Sequence, residues 1–364
     1  MIILNSGVGN YVWSNGRKYS YFGGNNYLGL ASNPAVKEAA FKAIRKYGVN
    51  FSASRRTTGT ADLHLELEKN LSLFKGKEDA VVFASGYQGN SILLEILKGR
   101  YDTVFMDQFS HASIVSGIPH DISDIRYFNH CDAGHLEQLL KLNTGSRPLV
   151  ITDGIFALTG EIAPLDRYFP VLQKNNALLI VDDAHATGIL GESGRGTPEH
   201  FRLPESQNIF QTETMSKAIG SYGGFITGKR ILTEHIRSGS ATYQASTALP
   251  PPVVAAGTES LKIIRENPGL RIRLLEKSGE LRKNIATLGF ETTKDSTPII
   301  PILLPAKAEA ESLSEYLEQN GILVPFIQYP SSQKLQIVRI TVSVLQTKEQ
   351  TDRLFRLLKK WKTR

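Results

Sequence analysis

Apolar positions along this chain switch between two periods. At 34–46 Val36, Ala39, Ala40 and Ala43 share one helical face, and at 63–74 Leu65, Leu67, Leu71 and Leu73 are interleaved with outward Glu66, Glu68 and Lys69. Both stretches predict amphipathic helices. Short apolar runs then recur at 79–84, 101–106, 149–152, 177–181, 209–212 and 224–228, with helical patterns at 89–98, 136–142 and 165–174 between several of them. Alternation of this kind predicts an α/β architecture, a mostly parallel sheet covered by helices on both faces. Ligands of such sheets bind at the carboxyl ends of the strands.

After Pro250-Pro251-Pro252 a long helix is expected at 253–266, and the pattern then changes. Helices at 277–288, 308–320 and 347–361 and strands at 297–304 and 337–344 predict a smaller C-terminal α+β domain. The expected division is an N-terminal segment 1–35, a large domain 36–240 and a small domain 241–364, with 328–334 as the only irregular stretch of note.

At 364 residues and 41% hydrophobic, the chain has material for two ordinary domains with substantial cores. Its single cysteine, Cys131, rules out an internal disulfide and a cysteine-rich metal site, so no metal is expected. Without a run of eighteen apolar residues, no membrane span is expected, and the opening is too short for a signal-peptide core; a cytoplasmic protein is expected. The net charge of +7 is scattered apart from the terminal Lys359-Lys360-Trp361-Lys362-Thr363-Arg364, which suits the solvated end of a helix better than a nucleic-acid patch. A mild positive excess favours anionic ligands such as phosphates and coenzyme A.

The chemistry concentrates in two stretches. Thr214-Met215-Ser216-Lys217-Ala218-Ile219-Gly220 sets a lysine among small residues, about thirty positions after an apolar run that ends in Asp182-Asp183-Ala184-His185. Small neighbours let an aldehyde carbon reach the amine, and a carboxylate at a strand end can hold a proton on a pyridine nitrogen. Together they point to a Schiff-base lysine and the acid that pyridoxal 5'-phosphate requires. Ser85-Gly86-Tyr87 lies between a strand and a helix, where backbone N–H groups suit a phosphate. Asp183 points away from Asp182 on an extended chain and reads as structural.

In order along the chain stand Asn26-Tyr27-Leu28-Gly29-Leu30, Gly59-Thr60 with His64-Leu65-Glu66, Ser85-Gly86-Tyr87, His111-Ala112-Ser113, the 182–188 block, the 214–224 block and Ser246-Thr247-Ala248-Leu249-Pro250-Pro251. These motifs resemble the α-oxoamine synthase family of fold-type I pyridoxal-phosphate enzymes, over nearly the whole chain. The resemblance implies that Lys217 carries the cofactor and then takes the Cα proton, that Asp182 faces the ring nitrogen, that His185 bonds the phenolic oxygen and that His111 stacks on the ring. Ser85, Gly86, Tyr87 and Thr214 would hold the phosphate, with Thr247 contributed by a neighbouring subunit of a homodimer. Arg339, assisted by Asn26, would clasp the substrate carboxylate, since a guanidinium binds it in bidentate fashion.

The activity so implied is decarboxylative condensation of a small amino acid with an acyl-coenzyme A or acyl-carrier thioester. The 182–188 block resembles the subgroup that makes 8-amino-7-oxononanoate, in biotin biosynthesis, from alanine and a pimeloyl thioester. Glycine C-acetyltransferase, serine palmitoyltransferase and aminotransferase activities use the same lysine and acid and stay open. The chain departs from the family's usual Phe-Ser-Met-Asp-Gly at Phe156-Ala157-Leu158-Thr159-Gly160, from its Ala-Ala-His-Thr at Val344-Leu345-Gln346-Thr347, and in the loop Phe326-Ile327-Gln328-Tyr329-Pro330. Those departures also leave open a non-enzymatic homologue that keeps only the fold.

Overall fold

The computed structural model describes residues 2–143, 145–327 and 336–363, so the whole stretch expected to be irregular, 328–334, lies outside the described residues. Two compact units emerge, a small one of 1–33, 157–161 and 267–364 and a large one of 34–156 and 162–266. The chain opens with a hairpin of β1 (Tyr11–Ser14) and β2 (Arg17–Tyr21). Its two-residue connection, Asn15-Gly16, takes φ of +49° and +71°, the doubly left-handed turn that matches strand twist.

In the large unit, among the described residues, seven strands form one sheet. They are β3 (Asp79–Phe83), β4 (Thr103–Asp107), β5 (Asp124–Phe128), β6 (Pro148–Asp153), β7 (Leu178–Asp182), β8 (Ile209–Thr214) and β9 (Gly224–Gly228), in spatial order β3-β9-β8-β7-β6-β4-β5. Strands β5, β4, β6, β7 and β8 pair in parallel. Strand β9 runs antiparallel to both its neighbours, because β8 reaches it through a short loop and no crossover helix.

Alternate residues of the central strands enter opposite cores. Val104, Met106, Leu149, Ile151 and Ile180 pack in one apolar cluster, and Phe105, Val150, Leu179 and Val181 pack in the other. Burial of both faces explains why these strands read as continuous apolar runs. Among the helices of this unit are α1 (Pro34–Tyr47), α2 (Asp62–Lys75), α3 (Gly86–Ile96) and α4 (Ala112–Gly117). The helix Pro251–Glu266 packs on α1 and α2, which is why it falls in the large unit and not with the C-terminal segment assigned by sequence to 241–364.

In the small unit β10 (Ile299–Leu304), β12 (Phe326–Ile327) and β13 (Gln336–Thr341) form an antiparallel sheet, while β11 (Ile322–Leu323) adds to β2 in parallel. No helix among the described residues is long and apolar enough to cross a membrane.

Candidate active site

Strands β4, β6 and β7 each end in a buried aspartate, Asp107, Asp153 and Asp182. Asp182 is held at both oxygens: Oδ2 accepts from Asn90 Nδ2 at 2.7 Å and Oδ1 from the Ala184 N–H at 3.1 Å. Asn90 also donates to Ser113 Oγ at 2.9 Å and accepts from Thr212 Oγ1 at 3.0 Å. Ser113 Oγ in turn lies 2.7 Å from His111 Nδ1, so one polar chain joins His111 to Asp182. Burial pulls the imidazole pKa of His111 down; the Asp182 carboxylate opposes that shift and the Lys217 ammonium reinforces it.

Asp153 stands beside Asp182 in register and accepts the His111 N–H at 3.0 Å. Burial pushes its carboxyl pKa well up, with the charges of Asp182 and Asp107 adding to the rise. Asp107 is used differently: it accepts from Phe109 N, Cys131 N and His130 Nδ1, at 2.8, 2.8 and 2.9 Å. Asp107, His130 and Cys131 bring donor atoms of metal-binding type within 4.8 Å of one another, but the carboxylate is already engaged in pinning the turns that follow β4 and β5.

The first turn of α3 approaches the end of β8. A Cβ on Gly86 would stand 2.7 Å from Thr214 Cβ, so glycine is required for this contact. Ser85 caps the helix by accepting from the Tyr87 N–H at 3.3 Å, and Thr214 Oγ1 lies 2.8 Å from Ser216 Oγ while donating to the Gly223 carbonyl at 3.0 Å. An N-terminal helical turn ringed by hydroxyls has the chemistry of a phosphate cradle. The Tyr87 ring meets that of His111 edge-on, with centroids 6.3 Å apart. Lys217 is half-buried on the loop from β8 to β9, close enough to His111 and Asp153 to shift both electrostatically.

The structure thus brings His111, Asp182 and Lys217 to one end of the sheet, with Ser85, Gly86, Tyr87 and Thr214 along the phosphate-suited edge. His185 is buried on the turn after β7. Thr247 is exposed and bridges by backbone to Ser54. Asn26 and Arg339 belong to the small unit. There Arg339 Nη1 donates to the Ala157 carbonyl at 2.8 Å and Nη2 to Asn25 Oδ1 at 3.4 Å. Buried Arg339 Nε and Asn26 Nδ2 have no hydrogen-bond partner among the described residues.

Sequence reasoning passed over Asn90, Ser113 and Thr212. Asn90 lies one helical turn after Gly86, on the same face, and Thr212 shares a face of β8 with Thr214; that periodicity is the signal that could have found them. Asp183 faces away from Asp182, accepting from the Thr197 N–H at 3.0 Å, Thr197 Oγ1 at 2.6 Å and Gln211 Nε2 at 2.6 Å.

Behind the lysine loop, Glu213 forms a fully buried ion pair with Lys75. Burial pushes the Glu213 pKa from 4.5 up to about 7, against the pull of Lys75. The folded protein therefore keeps a proton that the unfolded chain releases at lower pH. The stability tied to this proton is complete below pH 4.5 and is lost as pH rises through about 7. Glu213→Gln keeps an acceptor for Lys75 and removes the titration. Its stability, followed by thermal melts, is expected to fall less than the parent's between about pH 5 and about pH 8, the difference amounting to at most about 3 kcal/mol. Equal slopes in thermal melts would refute this assignment.

The model of the family "Aminotransferase class I and II" matches residues 18–358. The 8-amino-7-oxononanoate synthase of Alkaliphilus metalliredigens is 38% identical over 352 residues, covering 96% of this chain and 89% of the relative. Among solved structures, serine palmitoyltransferase of Sphingomonas wittichii superposes with a TM-score of 0.93 at 29% identity, covering 99% of this chain and 91% of that one. The 8-amino-7-oxononanoate synthase of Francisella tularensis superposes at 0.80 and 27% identity, covering 93% and 96%. A buried acid at the end of β7, a lysine on the loop after β8, a helix N-terminus suited to phosphate and these full-length likenesses agree: the chain belongs to the class I and II aminotransferase family, as one of its α-oxoamine synthases with the fold-type I architecture.

Proposed function

We propose that this protein is a pyridoxal-phosphate-dependent 8-amino-7-oxononanoate synthase, joining alanine to a pimeloyl thioester with release of carbon dioxide and the free thiol. The observation that carries the reading is the convergence of Lys217, Asp182 and His111 at one end of the sheet, beside the Ser85–Tyr87 turn and Thr214. The residues fit the cofactor: the Gly86–Thr214 approach leaves a helix N-terminus for the phosphate, and Asp182 has both oxygens anchored. When bound, pyridoxal phosphate supplies an aldehyde that condenses with amines and a ring that stores an electron pair.

The protein's own groups do the rest. Lys217 Nζ would hold the cofactor covalently and, when free, would be the base that takes the proton from Cα. Asp182 would keep a proton at the ring nitrogen, His111 would pack on the ring and His185 would bond the phenolic oxygen. Ser85, Gly86, Tyr87 and Thr214 hold the phosphate, joined by the partner subunit's Thr247. Arg339 and Asn26 bind the amino-acid carboxylate. Their buried, unpartnered Nε and Nδ2 support this, since such donors are costly unless an acceptor arrives.

The protein works as a cytoplasmic homodimer in this reading. Exposed Phe41, Val49, Leu65 and Leu73 on and beside α1 and α2 support an apolar interface. The test pairs alanine, glycine and serine with pimeloyl, acetyl and palmitoyl thioesters of coenzyme A and follows thiol release. Alanine with the pimeloyl thioester is expected to give the highest kcat/KM. Preference for serine with the palmitoyl thioester, or for glycine with the acetyl thioester, would reassign the substrates. A 2-oxo acid formed without any thioester would make the protein an aminotransferase.

A further inference from the structure

The segment 157–161, which departs from the family's usual side chains, belongs to the small unit and acts there through its carbonyls. Ala157 O accepts from Arg339 Nη1 at 2.8 Å. Thr159 O accepts from Thr293 Oγ1 at 2.7 Å, and Gly160 O from Thr297 Oγ1 at 2.7 Å. Gly160 has φ of +68°, and a Cβ there would press on the Ile299 carbonyl and stand 2.8 Å from Thr297 Oγ1, so the turn closes only with glycine.

The two threonines are fixed from behind by one buried cation. Arg282 Nη1 donates to Thr293 O at 3.0 Å and to Thr293 Oγ1 at 2.8 Å; Nη2 donates to Thr297 O at 3.2 Å and to Ile299 O at 2.6 Å. Ile299 opens β10, whose Pro301 is the register partner of Arg339 on β13. Arg339 is therefore approached from two sides of one device, along the β10–β13 ladder and through the Ala157 carbonyl. Nη1 is committed to that carbonyl and Nη2 reaches Asn25 Oδ1 at 3.4 Å, which leaves buried Nε as the donor without a partner among the described residues.

We infer that Thr297 and Thr293, held by Arg282, are positioning residues for substrate recognition: they set the 157–160 turn, whose Ala157 carbonyl orients the Arg339 guanidinium toward the amino-acid carboxylate. The inference rests on the reading of Arg339 as the carboxylate-binding group. It explains why Ala157 and Thr159 can differ from the family's serine and aspartate. The contacts to Arg339 and Thr293 go to their main-chain oxygens; the Thr159 hydroxyl only accepts the Glu161 N–H within the turn, at 3.4 Å.

Thr297→Val keeps the shape and removes the hydroxyl, leaving the Gly160 carbonyl without that donor. In the holoenzyme the alanine KM is expected to rise about tenfold. Both kcat at saturating alanine and the thioester KM should stay within about twofold, and Thr297→Ser should restore the parent value. A purely structural role would move all three constants together, or fail to respond to serine. Should Thr297→Val melt below the assay temperature, Thr293→Val tests the other hydroxyl in the same way.

Arg339→Lys is run alongside. If it leaves the alanine KM unchanged, the reading of Arg339 is wrong and the inference falls with it. If it raises the alanine KM while neither threonine variant does, the inference alone is overturned.

Discussion

Lys217→Ala is expected to lower turnover by roughly 10⁴-fold or more, because in the proposed function one amine both anchors the cofactor and moves the Cα proton. Among the described residues, buried Lys75 and half-buried Lys277 are committed elsewhere. Lys75 Nζ is engaged by Glu213 and the Arg195 carbonyl. Lys277 Nζ donates to the carbonyls of Ser343, Val344 and Gln346 at 3.1, 3.0 and 2.6 Å. Among the described lysines, Lys217 alone stands on a loop of small residues in the field of His111 and Asp153. Borohydride reduction of the cofactor-loaded protein, followed by peptide mass analysis, should place one adduct on the Lys217 peptide and none in the variant. An adduct on another lysine, or a variant that keeps more than about a hundredth of parental thiol release, would overturn the assignment.

The parts of the fold most visible in the sequence are those buried on both sides. Strands β4, β6 and β7 read as apolar runs since their residues feed two cores, and the acids closing them stand out against that background. The hairpin of β1 and β2 was illegible by the same criterion. Its second strand, Arg17-Lys18-Tyr19-Ser20-Tyr21, is exposed at its start, so no apolar run marks it, and its only signal is Asn15-Gly16. Strand β5, at the sheet edge, is similarly half-exposed and polar.

At the site, Lys217, Asp182 and His111 were readable because their neighbours form motifs. Asn90 was not, since its partner Asp182 is 92 positions away and nothing local announces the pairing. The role inferred for 157–160 was still less visible: it belongs to main-chain oxygens, and side-chain comparison registers only the loss of a serine and an aspartate.

Asp182→Asn is the sharpest test of the electrostatic half of the site. The substitution preserves size and leaves an acceptor for Asn90, so the fold and the polar chain to His111 should survive; what disappears is the negative charge at the end of β7. In the proposed function that charge favours a proton on the ring nitrogen, and a protonated ring is the better electron store, so turnover is expected to fall by about 10²- to 10³-fold. Labelling of Lys217 by borohydride should persist, because covalent anchoring does not need the acid. Asn90→Ala separates orientation from charge. It keeps the carboxylate but removes the 2.7 Å bond to Oδ2, and a loss of about tenfold is expected from a carboxylate freed to turn. If Asp182→Asn costs no more than Asn90→Ala, the acid serves only as part of a hydrogen-bond network and its assignment to the ring nitrogen fails. If Asp182→Asn also abolishes labelling, its carboxylate is needed to form the site itself, and the division of labour between Lys217 and Asp182 must be redrawn.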